Sequence, residues 1–116
     1  MNRVEILITG SAGQGALWLG KQVANRVINI DEHKKVSFLA EYESGVRSGH
    51  SRAQVVVSND KINTPFISEP DIEIKLEDGK LKCGTLNIEL ESKGRLNEKA
   101  LEEIFNRNKC RKLLGI

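Results

Sequence analysis

The chain has 116 residues, of which 39% are hydrophobic and 4% aromatic, and its formal net charge is +2. This length suits a single domain, 1–116, and so balanced a charge argues against a dedicated nucleic-acid binder. No apolar stretch approaches the ~20 residues that cross a bilayer, and Met1 leads into a strand pattern rather than a signal peptide, so we expect a cytoplasmic protein with no membrane contact. Cys83 and Cys110 have no spacing typical of metal ligands, which predicts two reduced thiols and no metal or cluster site.

The first predicted elements are a strand, a helix and a second strand. Residues 3–9 form an apolar run typical of a central strand buried on both faces. From Gly15 to about Ile30 the apolar residues recur at helical spacing, and 36–40 is a short strand, so the three elements predict a right-handed β-α-β unit. The helix face expected to be buried consists of Ala16, Leu19, Val23, Ala24, Val27 and Ile28.

The middle of the chain predicts two further strands. The run 53–58 is a third strand closed by a polar turn. Pro65 and Pro70 bracket a loop that leads into 71–76, where polar and apolar residues alternate strictly. Such alternation indicates a half-exposed strand, which we expect toward an edge of the sheet.

The last forty residues predict a hairpin, one more strand and a terminal helix. The turn 77–80 would let 81–83 pair back on the preceding strand, and 86–90 offers another strand. Asn97 is expected to cap a single helix that ends at Gly115. Its predicted buried stripe consists of Leu101, Ile104, Phe105 and Leu113.

The glycine-rich turn 10–15, between the first strand and the helix, is the leading candidate site. Glycine allows positive φ and close approach of a ligand, and the first N–H groups of a helix attract anions. A P-loop would need Lys and Ser or Thr where Ala16 and Leu17 stand. A dinucleotide fingerprint would need glycine at Trp18, whose side chain we expect to obstruct packing of the helix on the sheet. A plain strand-to-helix turn without a ligand is the remaining alternative.

A second candidate site is the segment 41–52, which follows the second strand. Arg47 and Arg52 can bind phosphate or carboxylate through two hydrogen bonds each, and His50 could donate a hydrogen bond or move a proton. Alternatively, the arginines pair with Glu41 and Glu43 and have no ligand. Because the segment follows a strand of an open α/β sheet, it falls where such sheets bind ligands.

The order of four segments resembles the gamma subunit or gamma domain of the 2-oxoacid:ferredoxin oxidoreductases, whose substrates include pyruvate, 2-oxoglutarate, 2-oxoisovalerate and indolepyruvate. The family carries Gly-x-Gly-Gly-Gln-Gly after its first strand, Arg-Gly-Gly before its third and Pro-Asp before the next. The corresponding segments here are 10–15, 41–51, 54–58 and 70–72. Ala12 and Ser48 stand where the family has glycine. The family-like part is about 1–76, and the divergent hairpin and helix of 77–116 suggest a shortened member.

The resemblance implies a Rossmann-like α/β fold, a three-layer α/β/α arrangement with a mixed, largely parallel sheet. It implies an accessory subunit without catalytic residues of its own, in a complex that converts a 2-oxoacid, coenzyme A and oxidised ferredoxin into acyl-CoA, CO₂ and reduced ferredoxin. Thiamine diphosphate and [4Fe-4S] clusters would lie in alpha-, beta- or delta-type partner subunits, and ferredoxin would contact the chain only indirectly. This chain would share the coenzyme A site. The residues expected to bind it are Gly10, Gly13, Gln14, Gly15, Arg47, Ser48, Gly49 and His50.

Other readings of the residues remain open at this stage. The chain could be a free-standing nucleotide- or coenzyme-binding module, or a regulatory module, without oxidoreductase activity. It could also be an interaction domain in which the glycines only form a turn. When isolated, the chain could form a homodimer.

Overall fold

A computed structural model describes residues 3–11, 13–42, 50–91 and 94–116. Within these ranges the chain forms six strands and three helices. The strands are β1 Arg3–Ser11, β2 Lys35–Tyr42, β3 His50–Ser58, β4 Ile72–Lys75, β5 Lys80–Cys83 and β6 Leu86–Glu89. The helices are α1 Ala16–Ile30, α2 Leu96–Asn106 and α3 Asn108–Leu114.

The six described strands form one mixed sheet in the order β2-β3-β1-β4-β5-β6. This confirms the α/β fold and the mixed sheet, but the expectation of a largely parallel sheet is wrong. Only β1 and β4 pair in parallel, whereas the other four pairs are antiparallel. The physical reason is that β4, β5 and β6 are joined by turns too short for a crossover, which makes neighbouring strands antiparallel. β2 does run in the same direction as β1, with β3 between them.

All three described helices pack on one face of the sheet. α1 contacts β1, β2 and β3, α2 contacts α1, and α3 contacts α2 and β5. One hydrophobic core joins these helices to alternate residues of the strands, including Ile6, Val55 and Ile74. On the opposite face, segment 59–70 crosses β1 and β3, and the β4–β5 region is charged. Two layers are therefore described, and the third layer of the prediction has no counterpart among these residues.

Close contact between α1 and the sheet depends on Gly20. A Cβ atom at this position would lie 2.6 Å from Cε2 of Phe38 and 2.9 Å from Cβ of Ala53, both shorter than real Cβ contacts. Trp18, in contrast, is 40% exposed on α1, so the expected obstruction by its indole is wrong. Ile28 is 43% exposed and does not belong to the buried face of the helix, although the other apolar residues predicted there are buried.

β4 is an interior strand, which corrects its expected place toward an edge. It lies between β1 and β5, and its apolar residues Ile72 and Ile74 are fully buried against the helices. The alternation was interpreted correctly as one buried and one polar face, with Lys75 exposed. Alternation reports the two faces of a strand and carries no information about its neighbours, so the edge position did not follow from it.

The predicted terminal helix is two helices joined at Arg107, whose backbone is extended at φ −85° and ψ 127°. The predicted cap is also wrong, because Asn97 lies inside α2 and Arg95 occupies the N-cap position. Gly115 ends α3 at φ 72°, as expected. The change of direction at Arg107 brings Leu114 into the core, and Leu113 is only partly buried.

Candidate functional site

The glycine loop joins the end of β1 to the start of α1. Gly13 and Gly15 have φ angles of 87° and 83°, in the left-handed region that strongly favours glycine. Between them, the backbone N–H of Gln14 donates to the carbonyl of Ser11 at 3.1 Å. Gly15 is the N-cap of α1, and its carbonyl accepts the N–H of Leu19 at 2.9 Å. The first N–H groups of α1 therefore point back toward this loop, as in helix-terminal anion sites.

The Gln14 side chain fastens the loop to the neighbouring strand end. Its Oε1 accepts the N–H of Ser11 at 2.7 Å, and its Nε2 donates to the carbonyl of Leu76 at 3.2 Å. Leu76 directly follows β4, the strand that pairs in parallel with β1. Gln14 thus holds the loop in shape through its side chain, and binding of a coenzyme by this residue stays a prediction.

The two left-handed glycines have different surroundings. A Cβ atom at Gly13 would have no other atom within 4 Å, and Gly13 is exposed. At Gly15 a Cβ atom would lie only 2.3 Å from Nδ2 of Asn97, which belongs to α2. Asn97 is 8% exposed, and its Oδ1 accepts the N–H of Glu98 at 2.9 Å. Gly15 therefore permits packing of α2 on the loop, whereas Gly13 leaves room for a ligand.

An open cleft of about 460 Å³ lies beside the loop. It forms where β1, β2 and β4 end and β3 begins, so the carboxyl ends of three strands that run in one direction meet there. This is the end of an open α/β sheet at which ligands bind. The residues that line the cleft are Thr9, Gly10, Glu41, His50, Ser51, Arg52 and Glu77.

Basic and acidic side chains are paired within the cleft. Nδ1 of His50 lies 2.7 Å from Oε1 of Glu77. Nε of Arg52 lies 3.8 Å from Oε2 of Glu41, whose Oε1 accepts a hydrogen bond from Nε2 of Gln54 at 2.9 Å. The pairing of Arg52 with Glu41 is the alternative that the sequence left open for this arginine. Because all four of these side chains are more than a third exposed, the two pairs are weak and a charged ligand could replace either partner.

The structure brings together some of the predicted site residues. Gly10 and His50 both line the cleft, while Gly13 to Gly15 form the adjacent loop. Arg47, Ser48 and Gly49 lie outside the described residues. Glu77 also lines the cleft, although its sequence context predicted only a turn. Its position just after β4 was the available signal, because the carboxyl ends of neighbouring parallel strands lie together.

The two cysteines contact each other inside the fold. Cys83 on β5 and Cys110 on α3 are 3% and 0% exposed and are both free thiols. Their side chains are hydrogen-bonded, and this bond together with burial raises the pKa of Cys83 above its ordinary value. The same bond and the positive charge of Arg107 lower the pKa of Cys110. An iron–sulfur cluster takes four thiolates, so this buried pair does not fit one.

Two other kinds of feature are absent from the described part of the chain. Residues 3–11, 13–42, 50–91 and 94–116 contain no group of three or more His, Cys, Asp or Glu side chains placed to hold a metal ion. Among the helices of the same ranges, none combines the length and the apolar character needed to cross a membrane.

Comparison with known proteins gives one matching family. The family model described as pyruvate ferredoxin/flavodoxin oxidoreductase matches residues 5–106. The chain is also similar to the 2-oxoglutarate synthase subunit KorC of Methanocaldococcus jannaschii, with 31% identity over 74 residues. That alignment covers 64% of this chain and 39% of the relative, so the chain corresponds to about two-fifths of the relative's length.

Two solved structures are similar to part of the chain. One is the pyruvate oxidoreductase subunit PORC of Thermotoga maritima, with a TM-score of 0.50 and 25% identity over 67% of this chain and 39% of that one. The other is the gamma subunit of a keto/oxoacid ferredoxin oxidoreductase from Geobacter sulfurreducens, with a TM-score of 0.47 and 26% identity. The second alignment covers 66% of this chain and 39% of the Geobacter sulfurreducens subunit.

Proposed function

Because this chain belongs to the pyruvate ferredoxin/flavodoxin oxidoreductase family, we propose that it acts as a gamma-type subunit of a 2-oxoacid:ferredoxin oxidoreductase complex. The complex would convert a 2-oxoacid, coenzyme A and oxidised ferredoxin into acyl-CoA, CO₂ and reduced ferredoxin. Similar proteins are named for 2-oxoglutarate and for pyruvate, so the proposal covers the class of 2-oxoacids. The chain's own contribution would be assembly of the complex and part of the coenzyme A site.

The glycine loop is the observation that carries the coenzyme part of the proposal. Coenzyme A contains a pyrophosphate, and helix N-termini bind phosphates through backbone N–H groups and the positive end of the helix dipole. Gly13 has no neighbour in the direction of a side chain, so a phosphate oxygen could approach its backbone closely. The adjoining cleft of about 460 Å³ is within the ~300–1,000 Å³ typical of small-molecule sites. It could take the organic part of the coenzyme.

The charges of the cleft limit where the phosphates would bind. Two of the lining residues, Glu41 and Glu77, are acidic, and Arg52 is the lining residue with a permanent positive charge, so the cleft has no net positive charge. The pyrophosphate would therefore be held at the α1 terminus. Arg52 would add a second contact by exchanging the weak 3.8 Å pairing with Glu41 for a phosphate. Coenzyme A binding by Arg47, Ser48 and Gly49 remains part of the proposal from sequence alone.

Calorimetric titration tests the coenzyme site on the chain purified with any subunits that accompany it. We expect Gly13→Val to weaken coenzyme A binding by roughly tenfold or more, equivalent to about 1.4 kcal/mol, because its side chain would occupy the approach to the loop. Pantetheine lacks the pyrophosphate, so it should bind the original chain more weakly than coenzyme A does, by a similar factor. It should bind Gly13→Val and the original chain equally well.

Gly84→Val is the matched control for backbone strain. Gly84 also has positive φ, at 62°, and no atom within 4 Å of a Cβ position, but it lies in the turn between β5 and β6. This variant should bind coenzyme A normally. Equal binding by the original chain and Gly13→Val would refute the proposed site without affecting the subunit role. Copurification tests that role, and a chain recovered from its native cell without a thiamine- and cluster-containing partner would contradict it.

A further inference from the structure

β2 forms an edge of the described sheet. It pairs with β3 along its whole length, from Lys35 opposite Ser58 to Tyr42 opposite Ser51, and has no strand on its other side among the described residues. The pairing is continuous, with no bulge to turn the strand away from the sheet plane. Such an edge presents a row of N–H and C=O groups that can pair with another strand.

The side chains of β2 are nearly self-complementary about its centre. Phe38 faces α1, because it contacts the position of Gly20, and Leu39 therefore faces the opposite side of the sheet. Both are only partly buried. Near the two ends of the strand, and on the same face as Leu39, stand residues of opposite charge, Lys35 and Glu41.

We propose that a second copy of this chain pairs with β2 in an antiparallel register centred on Phe38, forming a homodimer with one continuous sheet. This register sets Lys35 of each copy opposite Glu41 of the other, so two equivalent ion pairs form. Antiparallel registers displaced by two residues place Lys35 opposite Leu39 and Glu41 opposite His33, or Glu41 opposite Ser37 and Lys35 opposite position 43, which lies beyond the end of β2, and both lose the pairing of Lys35 with Glu41 inside the strand. Charge complementarity therefore selects one register and one occupant of the edge. Glu41 also lines the proposed coenzyme cleft, where its carboxylate accepts a hydrogen bond from Gln54 and lies 3.8 Å from Arg52, so in the dimer it would be shared between Arg52 and Lys35 of the other copy. The strand pairing itself requires no bound coenzyme.

The helical layer leaves room for this arrangement. α1 contacts β3 and both of its neighbours, β1 and β2, so its axis lies over β3. In the dimer the two β3 strands would be three strand spacings apart, or about 14 Å. Packed helices lie ~8–10 Å apart, so the two copies of α1 would stand on the same face without collision. A register centred on Phe38 also keeps the apolar side chains of both strands on matching faces.

Charge exchange provides the main test, with dimerisation of the full chain measured by sedimentation equilibrium. Lys35→Glu and Glu41→Lys should each weaken the dimer roughly tenfold, since each replaces two attractive pairs by two repulsive ones. The double variant carrying both changes restores opposite charges and should recover most of the lost affinity. Lys82→Glu makes the same charge change as Lys35→Glu at an exposed residue of β5, away from β2, and should leave the dimer unchanged.

Cysteine cross-linking tests the register separately. Ser37 of one copy would lie opposite Leu39 of the other, so the double variant Ser37→Cys/Leu39→Cys should form disulfide-linked dimers on oxidation, whereas each single variant should not. Cross-linking by either single variant would overturn the register. A monomeric original chain at millimolar concentration, or failure of the double charge exchange to recover dimerisation, would overturn the proposal.

Discussion

Alanine at Gly15 should destabilise the fold more than alanine at Gly13, although the two φ angles differ by only a few degrees. Alanine in the left-handed region costs about 1–2 kcal/mol, and about 0.4–1 kcal/mol of this is offset because alanine restricts the unfolded chain. Gly13→Ala should therefore cost about 1 kcal/mol, since its Cβ meets no atom within 4 Å. At Gly15 the Cβ would also lie 2.3 Å from Nδ2 and 3.1 Å from Cγ of Asn97. Overpacking adds about 1–3 kcal/mol, giving roughly 2–4 kcal/mol in total.

Removing the Asn97 side chain separates the two contributions. Asn97→Ala deletes Nδ2 and Cγ and leaves Cβ, which would stand at an ordinary 3.6 Å from the new methyl group at position 15. In this background Gly15→Ala should cost only about 1 kcal/mol, so the two substitutions should show a coupling free energy of about 1–3 kcal/mol.

Urea unfolding followed by circular dichroism measures all four variants of this cycle, with Gly13→Ala alongside them. If Gly15→Ala costs the same with Asn97 present and absent, the steric argument is refuted. If Gly13→Ala has no cost, the argument from its φ angle is refuted as well. Gly84→Ala, also at positive φ in open space, should match Gly13→Ala.

Three further predictions concern the contacts around the sheet. Gly20→Ala should cost about 1–3 kcal/mol by thermal unfolding, and Phe38→Leu should reduce this cost by withdrawing the ring that a Cβ would meet at 2.6 Å. Gln14→Ala should cost about 1–3 kcal/mol because the loop loses both side-chain hydrogen bonds. Gln14→Glu keeps the bond to the Ser11 N–H but sets a carboxylate oxygen against the Leu76 carbonyl, so it should cost at least as much. Oxidised glutathione in mild denaturant should convert the contacting thiols of Cys83 and Cys110 into a disulfide, which should raise the free energy of unfolding by about 3–4 kcal/mol. A chain that keeps two free thiols after prolonged oxidation would contradict this.

The elements of the fold were largely predictable because local patterns determine them. The apolar run of β1, the helical spacing of α1 and the hairpin that leads to β5 all depend on residues close in sequence. Strand neighbours depend on contacts distant in sequence, which is why the interior position of β4 and the small number of parallel pairs were missed. The break at Arg107 was missed for a related reason, since the α2–α3 turn lets Cys110 pack on Cys83 of β5.

The candidate site was predictable in its backbone and less so in its side chains. Positive φ at Gly13 and Gly15 followed from the glycine pattern of a strand-to-helix turn. The roles of Asn97 and Glu77 did not, because each reaches the site from an element that is remote in sequence. The capping pattern at Asn97 predicts only a hydrogen bond to backbone close in sequence. It gives no information about the packing of Asn97, which lies inside α2 and against Gly15.

The glycines of one motif thus have separable roles. Gly15 is required by packing, because any Cβ there meets Asn97, so its replacement should weaken the fold whether or not a ligand binds. Gly13 meets nothing, so its replacement by alanine should cost only backbone strain in the free chain. If Gly13→Ala weakens coenzyme binding more than Gly84→Ala does, the difference would then have to come from a lost contact between the loop and the coenzyme. The pair Gly13 and Gly84 therefore distinguishes a coenzyme site from a turn, which the glycine pattern alone does not.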